Sequence, residues 1–179
     1  MEPLTRYLGV KEVFATPMTA QAAGEILNRP IDTTNADAEG NGYLVIYKDG
    51  YRNWSPKAQF EEANRPATGM TFGMAIEAMR KGHKVARKGW NGKDMWIVLM
   101  PSLYLPPFNT QEPGAKVNDR TAKHIGKDTA LDSQPYIAMW TAAKQWQPGW
   151  LASQADILAD DWAVCVDMKK ACNTPTVAP

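Results

Sequence analysis

Two short stretches carry the residue types that chemistry or recognition would use. The first is Arg87-Lys88-Gly89-Trp90-Asn91-Gly92-Lys93. Trp90 can stack on a flat base, Asn91 can hydrogen-bond a base edge, and Arg87 or Lys93 can hold a phosphate. The same residues also suit a β-turn whose tryptophan folds back onto the core. The second stretch is Trp150-Leu151-Ala152-Ser153, running into Gln154-Ala155-Asp156. Ser153 followed three residues later by Asp156 is a variant of the capping box, so a short helix is predicted there. A helix N-terminus with an adjacent hydroxyl attracts anions, and Trp150 could form a wall beside it. The alternative is that Ser153 only caps the helix and Trp150 packs against Leu158.

Groups for bond-breaking are sparse. Hydrolysis or transfer needs an activated nucleophile, a general base or a metal. His83 and His124 are the two histidines, and neither sits in a motif with a partner. Asp156, Asp160 and Asp161 form an acidic run that could hold a divalent cation, but capping already accounts for Asp156. No glycine-rich phosphate loop and no zinc spacing occur. The expectation is a binding protein without catalytic residues, metal or cofactor.

The stretch Met70–Met100 must position the first motif. Thr71 is a plausible cap for a helix that buries Ala75, Ile76 and Met79 and closes at Arg80-Lys81-Gly82. Strands are predicted over Lys84–Arg87 and Met95–Met100. Gly89-Trp90-Asn91-Gly92 is the reversal between them, since Asn-Gly tolerates positive φ. A further strand is predicted over Pro135–Thr141 and a closing one over Asp161–Asp167. After Met100 and ahead of the Pro135–Thr141 strand, residues 101–134 read as a long irregular segment broken by Pro101, Pro106, Pro107 and Pro113, and residues 145–149 read as a connection after that strand.

Ahead of this lies a first module. It is predicted to contain a strand over Leu8–Phe14 and a helix over Ala20–Leu27 capped by Thr19. A hairpin follows, Tyr43–Tyr47 and Tyr51–Trp54 about an Asp49-Gly50 turn, and then a helix over Lys57–Ala63 opened by Ser55-Pro56. Tyr43, Tyr47, Tyr51 and Trp54 are either a stacking platform or the packing face of a small sheet. The fold class expected is α+β, with short helices packed on small antiparallel sheets. The modules are residues 1–68 and 69–168, with a tail at 169–179.

The 179 residues and 44% apolar content suit globular modules. A net charge of +1 argues against a broad surface for duplex nucleic acid. No apolar run is long enough to span a bilayer, and the N-terminus does not read as an export signal. Cys165 and Cys172 then read as reduced thiols.

Taken in order, Met70-Thr71-Phe72-Gly73, then Val85 through Lys93, Tyr136-Ile137, and Trp150-x-x-Ser153-Gln154-x-Asp156-Ile157-Leu158-Ala159-x-Asp161-Trp162 resemble the second type of Thoeris anti-defence proteins of phages. The resemblance spans about residues 70–167. It implies a compact domain with a short helix on an antiparallel sheet. It also implies a sponge that sequesters, without cleavage, the cyclic ADP-ribose derivative (glycocyclic ADP-ribose) made by a bacterial TIR enzyme. The site of action would be the cytoplasm of the infected host. The family forms homo-oligomers, commonly tetramers, with ligand pockets at subunit contacts, and some members bind cyclic dinucleotides at a separate site. Carried over by position, Trp90, Asn91, Trp150, Ser153 and Asp156 are pocket residues. Arg87 and Lys93 flank them, and Asp161 and Trp162 match the pattern as well. The first module is similar to one often found ahead of this domain in phage proteins. Residues 101–134 are longer than the resemblance leads one to expect, which suggests a lid or an oligomer contact.

Overall fold

The computed structural model describes residues 9–165. Leu8, Asp167, Cys172 and the predicted tail lie outside the described residues. The chain divides into two compact units, one of them Met70–Cys165 and the other containing the residues up to Gly69. The architecture is α+β, with short helices and small antiparallel sheets.

In the first unit, β1 (Phe14–Pro17), β2 (Gly42–Ile46) and β3 (Arg52–Pro56) form a three-stranded sheet in that order. The helices are α1 (Ala20–Leu27) and α2 (Lys57–Ala63). Thr19 caps α1 by accepting from the Ala22 N–H at 3.3 Å. The first strand falls later than Leu8–Phe14 because register with β2 decides it: Phe14 opposes Ile46 and Pro17 opposes Tyr43. Pro17 is tolerated there because β1 is an edge strand. Ser55 and Pro56 finish β3 instead of opening α2, which starts with no side-chain cap.

Two of the four aromatics are packing residues. Tyr43 stacks on Phe60 of α2 at 4.2 Å between centroids, and the buried Trp54 donates its indole N–H to Met18 O at 2.8 Å. Tyr47 and Tyr51 meet at 5.7 Å near the turn, and Tyr51 stays exposed. The Trp54 ring lies against Gly42, where a Cβ would come within 2.4 Å of the ring and of Ser55 O. Gly42→Ala is therefore expected to destabilise the unit by about 1–3 kcal/mol through overpacking. A thermal melt of the variant checks this.

In the second unit, β4 (Val85–Arg87), β5 (Trp96–Met100), β8 (Tyr136–Trp140), β9 (Trp146–Pro148) and β10 (Trp162–Val164) form a five-stranded antiparallel sheet ordered β10-β4-β5-β8-β9. Helix α3 (Phe72–Arg80) packs its buried Ala75, Ala78 and Met79 on Val85, Ile97, Met139 and Trp162 of the sheet. Thr71 caps it, accepting from the Met74 N–H at 3.3 Å. Ile76 is only partly buried, and Ala78 takes the place expected for it. Because strand residues alternate faces, Trp96 and its cross-strand partner Trp140 lie on the opposite side, where they stack at 5.9 Å and meet Trp146. Trp146–Pro148 is thus a strand and not a plain connection. Its register with Trp140 fixes it at the sheet edge.

Residues 101–134 are more ordered than the sequence suggests. β6 (Leu103–Leu105) and β7 (Leu131–Ser133) pair as a two-stranded ribbon. Between them runs α4 (Asp119–Ile125), capped by Asn118, with Asp119 in its first turn and Lys123 and His124 in its last. Val117 and Ala122 are buried. The strands are too short to show a period between their flanking prolines, and the charges at the ends of α4 suit its dipole.

Candidate functional site

Two loops and a short helix converge at the end of the sheet where β10 pairs with β4. The turn after β4 carries Trp90, and α5 (Gln154–Ile157) follows Trp150. Asp161 stands just before β10. Trp162, fully buried, is the hub: Phe72, Trp90 and Trp150 surround it at 5.3, 5.4 and 6.3 Å, and Trp90 meets Trp150 edge-on at 5.9 Å. The Trp162 indole N–H donates to Asp156 O at 2.9 Å. Trp150 therefore packs on the core and not against Leu158, which is 80% exposed.

A polar frame holds this aromatic group. Asp156 Oδ1 accepts from Arg87 Nη1 at 2.8 Å and from the Trp90 indole N–H at 3.0 Å. Its Oδ2 accepts from the Ser153 hydroxyl at 2.7 Å and the Ser153 backbone N–H at 3.1 Å, and Ser153 Oγ accepts the Asp156 N–H in return. The predicted capping box is thus present. Arg87 Nη1 also donates to Ala155 O, and Nε donates to Asp161 Oδ1 at 2.8 Å. Asp161 Oδ2 accepts the Gly89 N–H at 2.7 Å.

Burial on its own pushes the Asp156 carboxyl up. The hydrogen bonds from Ser153, Arg87 and Trp90 together outweigh it and bring the group down from 3.8 to about 2. Asp161 is also lowered, chiefly by its bond to Arg87, and Arg87 is raised by Asp161 and then Asp156.

Six of the eight residues expected at a site thus meet here: Arg87, Trp90, Trp150, Ser153, Asp156 and Asp161. Much of their bonding capacity is used on one another. The four-residue α5 receives the Asp156 carboxylate at its own N-terminus. Asp156 and Asp161 point their oxygens at Arg87, Trp90, Ser153 and Gly89, while Asp160 is exposed. Asn91 and Lys93 lie exposed on the turn beyond Trp90 and make no hydrogen bond among the described residues.

That turn differs from the expected tight reversal. Asn91 and Gly92 do not adopt positive φ; Asp94 does, at 57°, and it pairs with Lys144 at 2.8 Å. Gly92 serves space instead, since a Cβ there would fall 2.1 Å from Met95 Sδ and 2.9 Å from Ala142 Cβ. Residue types alone do not single out Phe72 and Gly89. The one signal for Gly89 is a glycine directly ahead of an aromatic between two cations.

Comparison with known proteins identifies the family of the second unit. The model of the Thoeris anti-defense 2-like domain matches residues 70–165. A protein of Bacillus phage SP01 named Thoeris anti-defense 2 is 31% identical over 97 residues, covering 54% of this chain and 96% of that relative. The match takes in the helix, all five strands of the larger sheet and the framed tryptophans, so the chain belongs to the Thoeris anti-defense 2-like family.

Proposed function

We propose that this chain is a phage anti-defence sponge, which binds and sequesters a cyclic ADP-ribose-type signal, glycocyclic ADP-ribose, without cleaving it. Cyclic dinucleotides are the second ligand class. The observation that carries the reading is the aromatic wall, Trp90 and Trp150 at 5.9 Å, held by a hydrogen-bonded frame of the protein's own side chains. Pre-organisation of this kind reduces the entropy lost on binding, which a sponge competing for a scarce signal needs. Stacking on such rings contributes roughly 1–3 kcal/mol per base. The rival reading, metal-assisted cleavage at Asp156 and Asp161, would need carboxylate oxygens that here serve Arg87, Ser153, Trp90 and Gly89.

Charge supports one location for the phosphates over another. Arg87 is matched by two carboxylates, so its frame carries a net negative charge and does not attract an anion. Lys93, with Asn91 beside the wall, is the group left for that role. The acting form is a homo-oligomer, a tetramer by family likeness. Leu151, Ile157 and Leu158 around α5 are 89, 48 and 80% exposed, and an apolar border of this kind suits a subunit contact. Among the described residues no helix is long and apolar enough to cross a membrane, and the proposed place of action is the cytoplasm of the infected host.

The test is heat release. The purified protein is incubated with glycocyclic ADP-ribose and with a panel of cyclic dinucleotides, freed of unbound ligand and denatured, and what emerges is identified by mass. Intact ligand in stoichiometric amount supports the sponge. Fragments make the protein an enzyme, and no depletion removes the reading. Light scattering reports the assembly. Asn91→Ala and Lys93→Ala are each expected to weaken binding about tenfold with the melting temperature unchanged, because neither side chain is used in the fold. Titration calorimetry beside a melt checks both halves of that statement.

A further inference from the structure

The Arg87 guanidinium has one limb to spare. Nε donates to Asp161, and Nη1 donates to Asp156 and to Ala155 O. Nη2 makes no hydrogen bond among the described residues. It is not sealed away either: no buried side-chain nitrogen or oxygen in the described residues lacks a partner, so Nη2 reaches solvent although the side chain as a whole is only 16% exposed. The space in front of it exists because residue 89 is glycine. A Cβ there would stand 3.2 Å from Nη2 and 2.9 Å from Asp161 Oδ2. Gly89 does not have positive φ, so its backbone conformation does not call for glycine, and the requirement is one of room.

We infer that Gly89 is a specificity-determining residue of the proposed ligand site, keeping the Arg87 Nη2 amine open to an uncharged hydrogen-bond acceptor of the ligand, such as a carbonyl, hydroxyl or ring nitrogen. The inference rests on the sponge reading, since it assigns a role within that site. Asp156 and Asp161 are then positioning residues, which lock the guanidinium plane so that its free limb has one direction. A phosphate is disfavoured at the opening because Asp161 Oδ2 flanks the same point and the frame holds two carboxylates against one guanidinium. A neutral acceptor meets no such repulsion, and a donor held in one direction on a mostly buried side chain discriminates against a ligand that lacks its partner.

The experiment uses the full chain with glycocyclic ADP-ribose and, separately, cyclic di-GMP. In the native protein, nitrogen-detected magnetic resonance follows the Arg87 guanidinium during titration. The Nη2 signal is expected to shift and its protons to exchange more slowly, while Nε, held by Asp161 in both states, stays in place. Gly89→Ala is expected to lower affinity about tenfold or more. Binding with an unmoved Nη2 signal overturns the inference and leaves the sponge reading intact, as does a Gly89→Ala protein that binds as tightly as the native one. If neither probe binds the native chain, the sponge reading fails and this inference fails with it. The magnetic resonance arm needs no variant, so it decides the matter even if alanine at 89 disturbs folding.

Discussion

Asp156→Ala is expected to cost the second unit about 3 kcal/mol, the lower end of the range for breaking a buried ion pair, because Arg87 keeps its bond to Asp161. For a unit of this size that lowers the melting temperature on the order of 15 °C. The loss has several sources. Arg87 Nη1 and the Trp90 indole N–H lose their shared acceptor, and the Ser153 hydroxyl and backbone N–H lose theirs. The helix cap at α5 goes with them.

The same carboxylate predicts an acid-sensitive window. Its value in the folded protein, about 2, lies below the unfolded value near 3.8. The stabilisation is therefore complete above about pH 4 and lost as pH falls through about 2. Its size is about 2 kcal/mol. Asp161 is shifted in the same direction and adds to the trend. Chemical denaturation between pH 2 and 5 should show stability falling with acid in the native protein and a flatter profile in Asp156→Asn. Equal slopes in the two would mean that other carboxylates carry the effect.

What could be read in advance was what short range decides. Thr71 and α3, Thr19 and α1, the Asp49-Gly50 hairpin with Gly50 at φ 85°, and the Ser153–Asp156 box are each settled within a few residues. The order and spacing of motifs along residues 70–167 were likewise enough to point to the family. What escaped is set across the chain. Arg87 looks like a phosphate ligand until its partners, 69 and 74 positions downstream, are in place. Leu103–Leu105 and Leu131–Ser133 are too short to show alternation, and only their mutual register makes them strands. Positive φ falls on Asp94 and not on the Asn-Gly pair, and Gly92 sits where Met95 and the distant Ala142, contacts that the local motif does not reveal, leave no room for a side chain. Trp90 was open to two readings, stacking surface or core residue. The structure shows a packed residue that keeps some exposure: the ring meets Trp162 edge-to-face and its indole N–H bonds Asp156, while the residue stays only partly buried.

That dual placement changes what substitution of Trp90 should do. A purely exposed stacking residue could be removed without harm to the fold. Here Trp90→Ala is expected to cost about 3 kcal/mol, near the lower end for truncating a large core aromatic, and, on the proposed sponge reading, to weaken binding of glycocyclic ADP-ribose by about ten- to a hundredfold. Affinity alone would then confuse loss of contact with loss of structure. Trp90→Phe separates them. It keeps a ring against Trp150 and Trp162 but gives no donor to Asp156, whose Oδ1 retains Arg87. Its stability should lie within about 1–2 kcal/mol of native, since one hydrogen bond is lost and most of the packing stays. Its affinity should fall between those of the native protein and Trp90→Ala, because a smaller ring offers less stacking area. Calorimetric titration at a temperature where all three proteins are folded reads this order directly. If Trp90→Ala binds like the native protein under those conditions, the aromatic wall is a structural feature and the ligand site lies elsewhere. If Trp90→Phe binds as weakly as Trp90→Ala while remaining folded, the indole frame and not ring area sets recognition, and the Asp156 bond matters for where the ring points as much as for whether it is held.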